Sequence, residues 1–291
     1  MSAPSFLKKP VWTWEVPAYF FLGGLSAGAY LLSRAAAAGA RRHSGTARTG
    51  LMIAAVALLP CPALLVSDLG DPRRFHHMLR VFKPRSPMNL GAWTLAVYSS
   101  AVGAALVEQR SRRIAAVSGA YADIAGVPAA LLLAGYTGVL LSTTANPAWS
   151  GNAWLGPLFS AGAIAAGADA IEGVLEITGT VSAASAPVRA VASAARAIEG
   201  AALAATLRSA ARQAPEAVRK RSARWKFAAA AAGIAVPAVL EALPVANPRL
   251  RRALRIVGCV IGLAGGAALR FAVVEMGRDA VGEPATADGG R

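Results

Sequence analysis

The sequence predicts an all-α, polytopic integral membrane protein with about eight transmembrane helices. Hydrophobic residues make up 55% of the 291 residues and charged residues only 15%, whereas soluble domains carry about 25% charged residues. The mean hydropathy is +0.47. Eight apolar stretches approach the roughly 20 residues that a helix needs to cross a bilayer. These observations favour a multi-pass membrane protein over a soluble protein.

Each apolar stretch is taken as one helix. In chain order, the predicted helices cover residues 16–38, 51–67, 90–107, 121–143, 155–177, 188–207, 227–243 and 254–276. The first is longer than the apolar core of a cleaved signal peptide and has tryptophans at its entry, so we predict that it stays as a membrane helix. The sixth has the weakest pattern because three charged residues interrupt it. The membrane domain is predicted to cover residues 1–278, and the polar residues 279–291 are predicted to be a disordered tail.

An even number of crossings places both chain ends on one side of the membrane, here named side A, and the opposite side is named side B. Lys and Arg are divided almost equally between the loops of the two sides. The positive-inside rule therefore leaves the orientation open.

Charge and metal-binding residues exclude several function classes. The net charge of +15 lies in loops between apolar runs and not on a nucleic-acid-binding module, so we expect no nucleic-acid partner. Two cysteines are too few for an iron–sulfur cluster held by this chain. The three histidines lie outside the predicted helices, which argues against a transmembrane haem. No metal site is expected, and any metal centre must belong to a partner.

The loop between the second and third helices carries the densest polar pattern. It contains Asp68, His76 and His77 together with five basic residues. Ser86, followed closely by Pro87 and Asn89, is a start signal for the third helix. The basic residues indicate either a loop in contact with water and lipid headgroups or a docking surface for another subunit.

Four residues from three segments are predicted to lie at one depth near side A. Glu15 and Tyr19 share one face at the start of the first helix, Asp68 ends the second, and Tyr136 lies in the last part of the fourth. Hydroxyls and carboxylates next to apolar walls suit a quinone, because they can hydrogen-bond its two oxygens and accept its protons. We therefore assign Glu15 and Asp68 to proton transfer and Tyr19 and Tyr136 to quinone binding, with His76 and His77 as further candidate contacts.

A second group of ionisable residues lies inside predicted helices. Asp169, Glu172 and Glu176 occupy one face of the fifth helix, and Glu199 lies in the sixth. A charge at the bilayer centre costs about 2.5–3.5 kcal/mol on insertion scales. Two interpretations stay open: internal ion pairs, for instance with Arg270, or a proton path.

Five segments together resemble the NrfD family, the membrane subunit of polysulfide reductase, nitrite reductase and related molybdopterin oxidoreductases. They are AYFFLGGLSAGAYLLS, SDLGDPRRFHHMLRVFKPRSPMNLGAW, YTGVLLSTTANPAW, PLFSAGAIAAG and LRFAVVEMGR. The second and fourth are the most specific. The resemblance covers most of the chain from Trp12 to Arg278.

The resemblance implies a haem-free anchor of eight helices, in two four-helix bundles, that binds quinone or menaquinone and serves anaerobic respiration. Such a subunit exchanges electrons with an iron–sulfur subunit, which in turn serves a molybdopterin catalytic subunit. The family's quinone-site tyrosine corresponds to Tyr136, and its sixth-helix glutamate to Glu199. Some members also have Asn and His in the first helix, and this sequence has neither there.

Three functions follow as hypotheses. The first is a quinone-linked electron-transfer subunit without a catalytic centre of its own. The second is a proton- or ion-translocating module without quinone chemistry, although the two halves of the sequence show no convincing internal repeat. The third is an anchor with a purely structural role.

Overall fold

The computed structural model describes residues 12–38, 44–68, 77–83, 85–111, 113–181 and 186–281. Within these residues, eight helices are long and apolar enough to cross a membrane, which confirms the predicted fold class. In this article α1 to α8 denote these eight helices. Their bounds are α1 Glu15–Ala37, α2 Gly45–Ser67, α3 Pro87–Arg110, α4 Ala115–Ser142, α5 Leu155–Thr178, α6 Ala186–Gln213, α7 Arg221–Ala242 and α8 Pro248–Ala280.

Most of the helices extend beyond the apolar runs that predicted them, because polar residues form their first and last turns. Ser44 caps α2 by accepting a hydrogen bond from the backbone N–H of Ala47 at 3.2 Å. Asn247 caps α8 in the same way, accepting from Arg249 at 2.9 Å. At its other end α8 continues to Ala280, two residues into the predicted polar tail. Residues 282–291, on which the prediction of disorder mainly rests, lie outside the described part of the chain.

Two helices depart from regular α geometry. The backbone of α2 breaks at Leu59 and Pro60, so that the helix consists of the segments Gly45–Leu58 and Cys61–Ser67. Proline lacks the N–H that would continue the ladder, which accounts for the break. In α4, residues Ala122–Gly126 form a π-helical turn. The hydroxyl of Tyr30 donates to the carbonyl of Ala122 at 2.7 Å and satisfies part of this irregular backbone.

The helices pack as two neighbouring bundles, α1–α4 and α5–α8, with α1 and α5 at the centre. Small residues let these two central helices approach closely. A Cβ atom on Gly28 of α1 would overlap the carbonyl of Ala163 in α5. One apolar core runs through both bundles, and it holds the ends of α1, α2 and α4 at a common depth near side A.

Candidate functional site

A cavity of about 280 Å³ lies near side A between α1, α2, α3 and α4. Its walls are mainly apolar, and the polar side chains among them are Tyr19, Asp68, Ser99 and Tyr136. Aromatic rings close it toward the second bundle, since Trp12 stacks on Trp149 with ring centroids 5.7 Å apart. The residues that line it are Trp12, Val16, Tyr19, Phe20, Pro62, Leu65, Val66, Asp68, Leu79, Met88, Gly91, Ala92, Leu95, Ala96, Ser99, Tyr136 and Leu140.

Tyr136 is held against the first turn of α3. Its hydroxyl donates a short hydrogen bond to the carbonyl of Pro87. The ring lies over Gly91, where a Cβ atom would overlap the hydroxyl and the adjacent ring carbons of Tyr136. Only glycine leaves room for this arrangement, so Gly91 and Pro87 together fix the direction in which Tyr136 faces the cavity.

Tyr19 is the most deeply buried of the polar residues predicted for this site. Its side chain is only 3% exposed, and it lines the same cavity as Tyr136 and Asp68. No described residue forms a hydrogen bond with the Tyr19 hydroxyl. This hydroxyl is therefore available to a bound molecule with a polar oxygen.

The two carboxylates assigned to proton transfer lie close to the side-A surface. Asp68 follows the last residue of α2 and lines the cavity. Burial raises its pKa, and the nearby negative charge of Glu15 raises it further. Glu15 starts α1 and accepts a hydrogen bond from the Thr13 hydroxyl. Glu15 does not belong to the cavity wall, and its connection to the cavity is its electrostatic effect on Asp68.

The histidine candidates cannot be placed against the cavity. His76 lies outside the described residues, and only the backbone of His77 is described, at the start of the short helix His77–Arg80.

The sequence did not predict how the start of α3 holds the preceding loop, residues 81–83, next to the cavity. Ser86 caps the helix as predicted, accepting from the N–H of Asn89 at 3.4 Å. The Asn89 side chain also donates to the carbonyl of Val81 at 3.0 Å and accepts from the N–H of Lys83 at 2.7 Å. The pattern Ser-Pro-X-Asn gave the helix start, but nothing in it indicated that Asn89 fastens residues 81–83.

Described residues show no group of three or more His, Cys, Asp or Glu side chains able to hold a metal ion. Cys61 and Cys259 are both buried and unpaired with each other.

The match to a family model decides the family. The model described as "Polysulphide reductase, NrfD" matches residues 4–282. The chain belongs to the NrfD family. No curated protein matches it. As an NrfD-family chain it is a multi-pass membrane subunit of the polysulphide reductase type, a kind of subunit that works with partner subunits in an oxidoreductase complex.

In this NrfD-family chain, the acidic residues predicted for a proton path lie within the second bundle and most of them are paired. Asp169 of α5 forms a short ion pair with Arg196 of α6. Glu199 pairs with Arg270 at 3.5 Å. Glu176 pairs with Arg255 at 3.0 Å near side B.

Glu172 is the exception in this acidic group. Its Oε1 atom is buried, and no described residue hydrogen-bonds to that atom. A cavity of about 20 Å³ adjoins Glu172 and Glu241, and another of about 10 Å³ adjoins Asp169 and Glu199. Cavities of this size are about as large as one water molecule. Ion pairs and two small cavities therefore lie among the same side chains.

A further charged cluster escaped the sequence reasoning. Arg34, in the last turn of α1, lies 2.6 Å from Glu108 of α3 and 2.8 Å from Asp123 of α4. The three residues join three helices of the first bundle near side B. Charges at helix ends look like solvated loop residues in a sequence, so their pairing could not be read from it.

Proposed function

We propose that the chain is a quinone- and quinol-binding membrane subunit that exchanges electrons with an iron–sulfur subunit of a larger oxidoreductase. One observation carries the proposal: Tyr19 of α1, Asp68 just after α2 and Tyr136 of α4 meet at one mainly apolar cavity near side A. The family match supports the oxidoreductase setting. Quinone type, the identity of the partners, the anaerobic respiratory role and the bacterial cytoplasmic membrane belong to the same proposal.

The geometry favours a ligand that donates hydrogen bonds. The hydroxyl hydrogen of Tyr136 already points to the Pro87 carbonyl, so the tyrosine oxygen offers the ligand a lone pair. A carboxylate such as Asp68 likewise accepts hydrogen bonds. Oxidation of a quinol to a quinone releases two electrons and two protons. Its two hydroxyls suit these two acceptors, while Tyr19 can donate or accept.

The residues of the chain have separate tasks in this scheme. Tyr136 and Tyr19 hold the ring, and the apolar walls exclude water from it. Asp68 takes up a released proton and passes it to side A, and its raised pKa suits it to this exchange. The electrons leave one at a time to an iron–sulfur cluster of a partner docked on the side-A loop.

The side-A loop between α2 and α3, on which the partner would dock, has features of a protein interface. In the loop before α3, Val81 and Phe82 are 52% and 57% exposed, and the exposed residues Arg80, Lys83 and Arg85 flank them in the sequence. Exposed apolar side chains among basic residues are typical of sites that bind another protein. We infer that an iron–sulfur subunit covers this loop and that a molybdopterin subunit lies beyond it.

A matched pair of variants tests the proposal. Tyr136→Phe removes the hydroxyl that faces the cavity. Tyr121→Phe removes a hydroxyl of the same helix that bonds Ser100 at 2.7 Å outside the cavity. Loss of one hydrogen bond to the quinol should lower quinol-dependent turnover about tenfold, equivalent to about 1.4 kcal/mol.

The assay is turnover of the intact complex with quinol and, separately, with an artificial dye that delivers electrons to the partner subunits. Tyr136→Phe should lose only the quinol activity, and Tyr121→Phe should keep both. Equal quinol activity in both variants would refute the role of Tyr136. Absence of bound quinone from the purified complex, together with no quinol turnover before any substitution, would favour a purely structural anchor.

Proton translocation through the second bundle is a second candidate function. Its support is the buried Oε1 atom of Glu172 beside a cavity large enough for water. Glu172→Gln removes the titrating group and keeps the shape, so it should abolish proton uptake into liposomes if the route works without quinol. Proton uptake that needs no redox partner would favour this function over the first, and uptake unchanged in Glu172→Gln would exclude a route through that residue.

A further inference from the structure

The cavity continues sideways between α2 and α3. Both segments of α2 pack on α1, and the second, Cys61–Ser67, follows the break at Leu59 and Pro60. This segment hardly touches α3 among the described residues, although α3 packs closely on α4. The cavity wall is nevertheless made by both sides of this gap, with Pro62, Leu65 and Val66 on one side.

The α3 side of the gap is a groove of small side chains. Ala92, Ala96 and Ser99 follow at spacings of four and three residues, so they share one face of the helix. They extend the cavity by about 10 Å along α3, from the level of Gly91 toward the middle of the membrane. Met88, at the outer edge, is 55% exposed.

The groove is less polar than the part of the cavity that the two tyrosines line. Tyr19, whose hydroxyl no described residue hydrogen-bonds, lines the cavity together with Tyr136. The groove past Ala92 and Ala96 carries no charged side chain among its described residues, and the Ser99 hydroxyl donates to the carbonyl of Leu95 at 2.7 Å. A molecule with a polar ring and a long hydrocarbon tail fits both parts at once.

We propose that this groove is the tail channel of the site: the isoprenoid side chain of the quinol lies between Cys61–Ser67 of α2 and Ala92–Ser99 of α3, and the molecule enters and leaves the bilayer by this gap. The proposal rests on the proposed function and adds the route. Because lipid tails are as apolar as the groove, the groove contributes little affinity and acts by admitting or blocking the tail.

The test fills the groove and compares two quinols in the intact complex. Ala96→Leu places a branched side chain in the channel. Gly103→Leu places the same side chain on the same helix at a position where a Cβ atom meets nothing within 4 Å. The substrates are a naphthoquinol without a side chain, which can enter from the water on side A, and the same naphthoquinol with a polyisoprenyl side chain.

Ala96→Leu should lower kcat/KM for the tailed quinol about tenfold or more while changing that for the tail-less quinol less than about twofold. The purified variant should also retain less tailed quinone than the wild type, by extraction and chromatography. Gly103→Leu should match the wild type in all three measurements. If Ala96→Leu does not assemble, Ala92→Leu, one turn nearer side A, makes the same comparison.

An equal loss with both quinols, or no loss with either, would overturn the tail channel. Failure of the proposed function has a different signature, since Tyr136→Phe would then oxidise both quinols at the wild-type rate.

Discussion

Gly91 offers the sharpest test of how the site is built, because its role depends on a single missing atom. In Gly91→Ala the new Cβ would lie 2.5 Å from Cζ of Tyr136, well inside van der Waals contact. The ring must move, and its hydroxyl leaves the carbonyl of Pro87. Forcing a methyl group into a packed contact costs about 1–3 kcal/mol.

The same substitution at Gly103 provides the control. Gly103 lies on α3 as well, and a Cβ there meets nothing within 4 Å. Both variants gain the about 0.5–1 kcal/mol that alanine brings to a helix, so their difference isolates the clash. Gly91→Ala should therefore unfold about 1–3 kcal/mol more easily than Gly103→Ala and should oxidise quinol about tenfold more slowly, the rate equivalent of about 1.4 kcal/mol.

The assay combines thermal unfolding of the purified complex with quinol turnover. A double-mutant cycle with Tyr136→Ala adds a second criterion, because Gly91→Ala should cost almost nothing once the ring is gone. If Gly91→Ala behaves like Gly103→Ala in both measurements, the contact with Tyr136 does not position that residue.

Three further predictions concern the loop, the proton acceptor and the second bundle. Asn89→Ala removes the side-chain hydrogen bonds to Val81 and Lys83, worth about 0.5–1.5 kcal/mol each, and should speed amide exchange at residues 81–83; unchanged exchange would contradict the fastening role. Burial raises the pKa of Asp68, so quinol oxidation should increase as the pH rises through that pKa and the carboxyl ionises. The contribution of this carboxyl to the free energy of unfolding should fall over the same pH interval, because the folded state then holds the proton more tightly than the unfolded state. If Asp68→Asn leaves the pH profile of quinol oxidation unaltered, Asp68 is not the proton acceptor. Arg270→Met should destabilise the complex by about 3–5 kcal/mol, since it leaves Glu199 charged and unpaired. Adding Glu199→Gln should restore much of this stability. Equal melting temperatures of the single and the double variant would argue against the pair of Arg270 and Glu199.

The sequence alone predicted the fold because membrane helices are specified locally. A run of apolar residues of the right length is sufficient, and all eight runs became helices. The helix ends were placed less well. Polar residues such as those after Leu207 in α6 continue the helix toward the surface, which an apolar run cannot indicate.

Part of the site also followed from simple reasoning. Counting crossings placed Tyr19, Asp68 and Tyr136 on the same side, and the structure brings all three to one cavity. The missing parts depend on contacts between distant segments. In the sequence, Gly91 cannot be distinguished from other glycines of membrane helices. Its role depends on the contact with Tyr136, 45 positions away, which only the structure shows.

The buried charges show the same limit. The sequence suggested that Arg270 has an acidic partner, and the structure identifies it as Glu199. The cluster of Arg34 with Glu108 and Asp123 was not anticipated, because its members are separated by more than 70 positions along the chain from Arg34. Which charges pair is decided by helix packing, and packing is not encoded in any one segment.

The central claim is that the cavity between α1 and α4 binds the quinol ring, and an experimental structure of the complex with a quinol analogue tests it most directly. We expect the ring between Tyr19 and Tyr136, with an oxygen about 3 Å from the Tyr136 hydroxyl. An analogue bound elsewhere, for instance among the helices α5–α8, while a lipid chain fills this cavity would contradict the account.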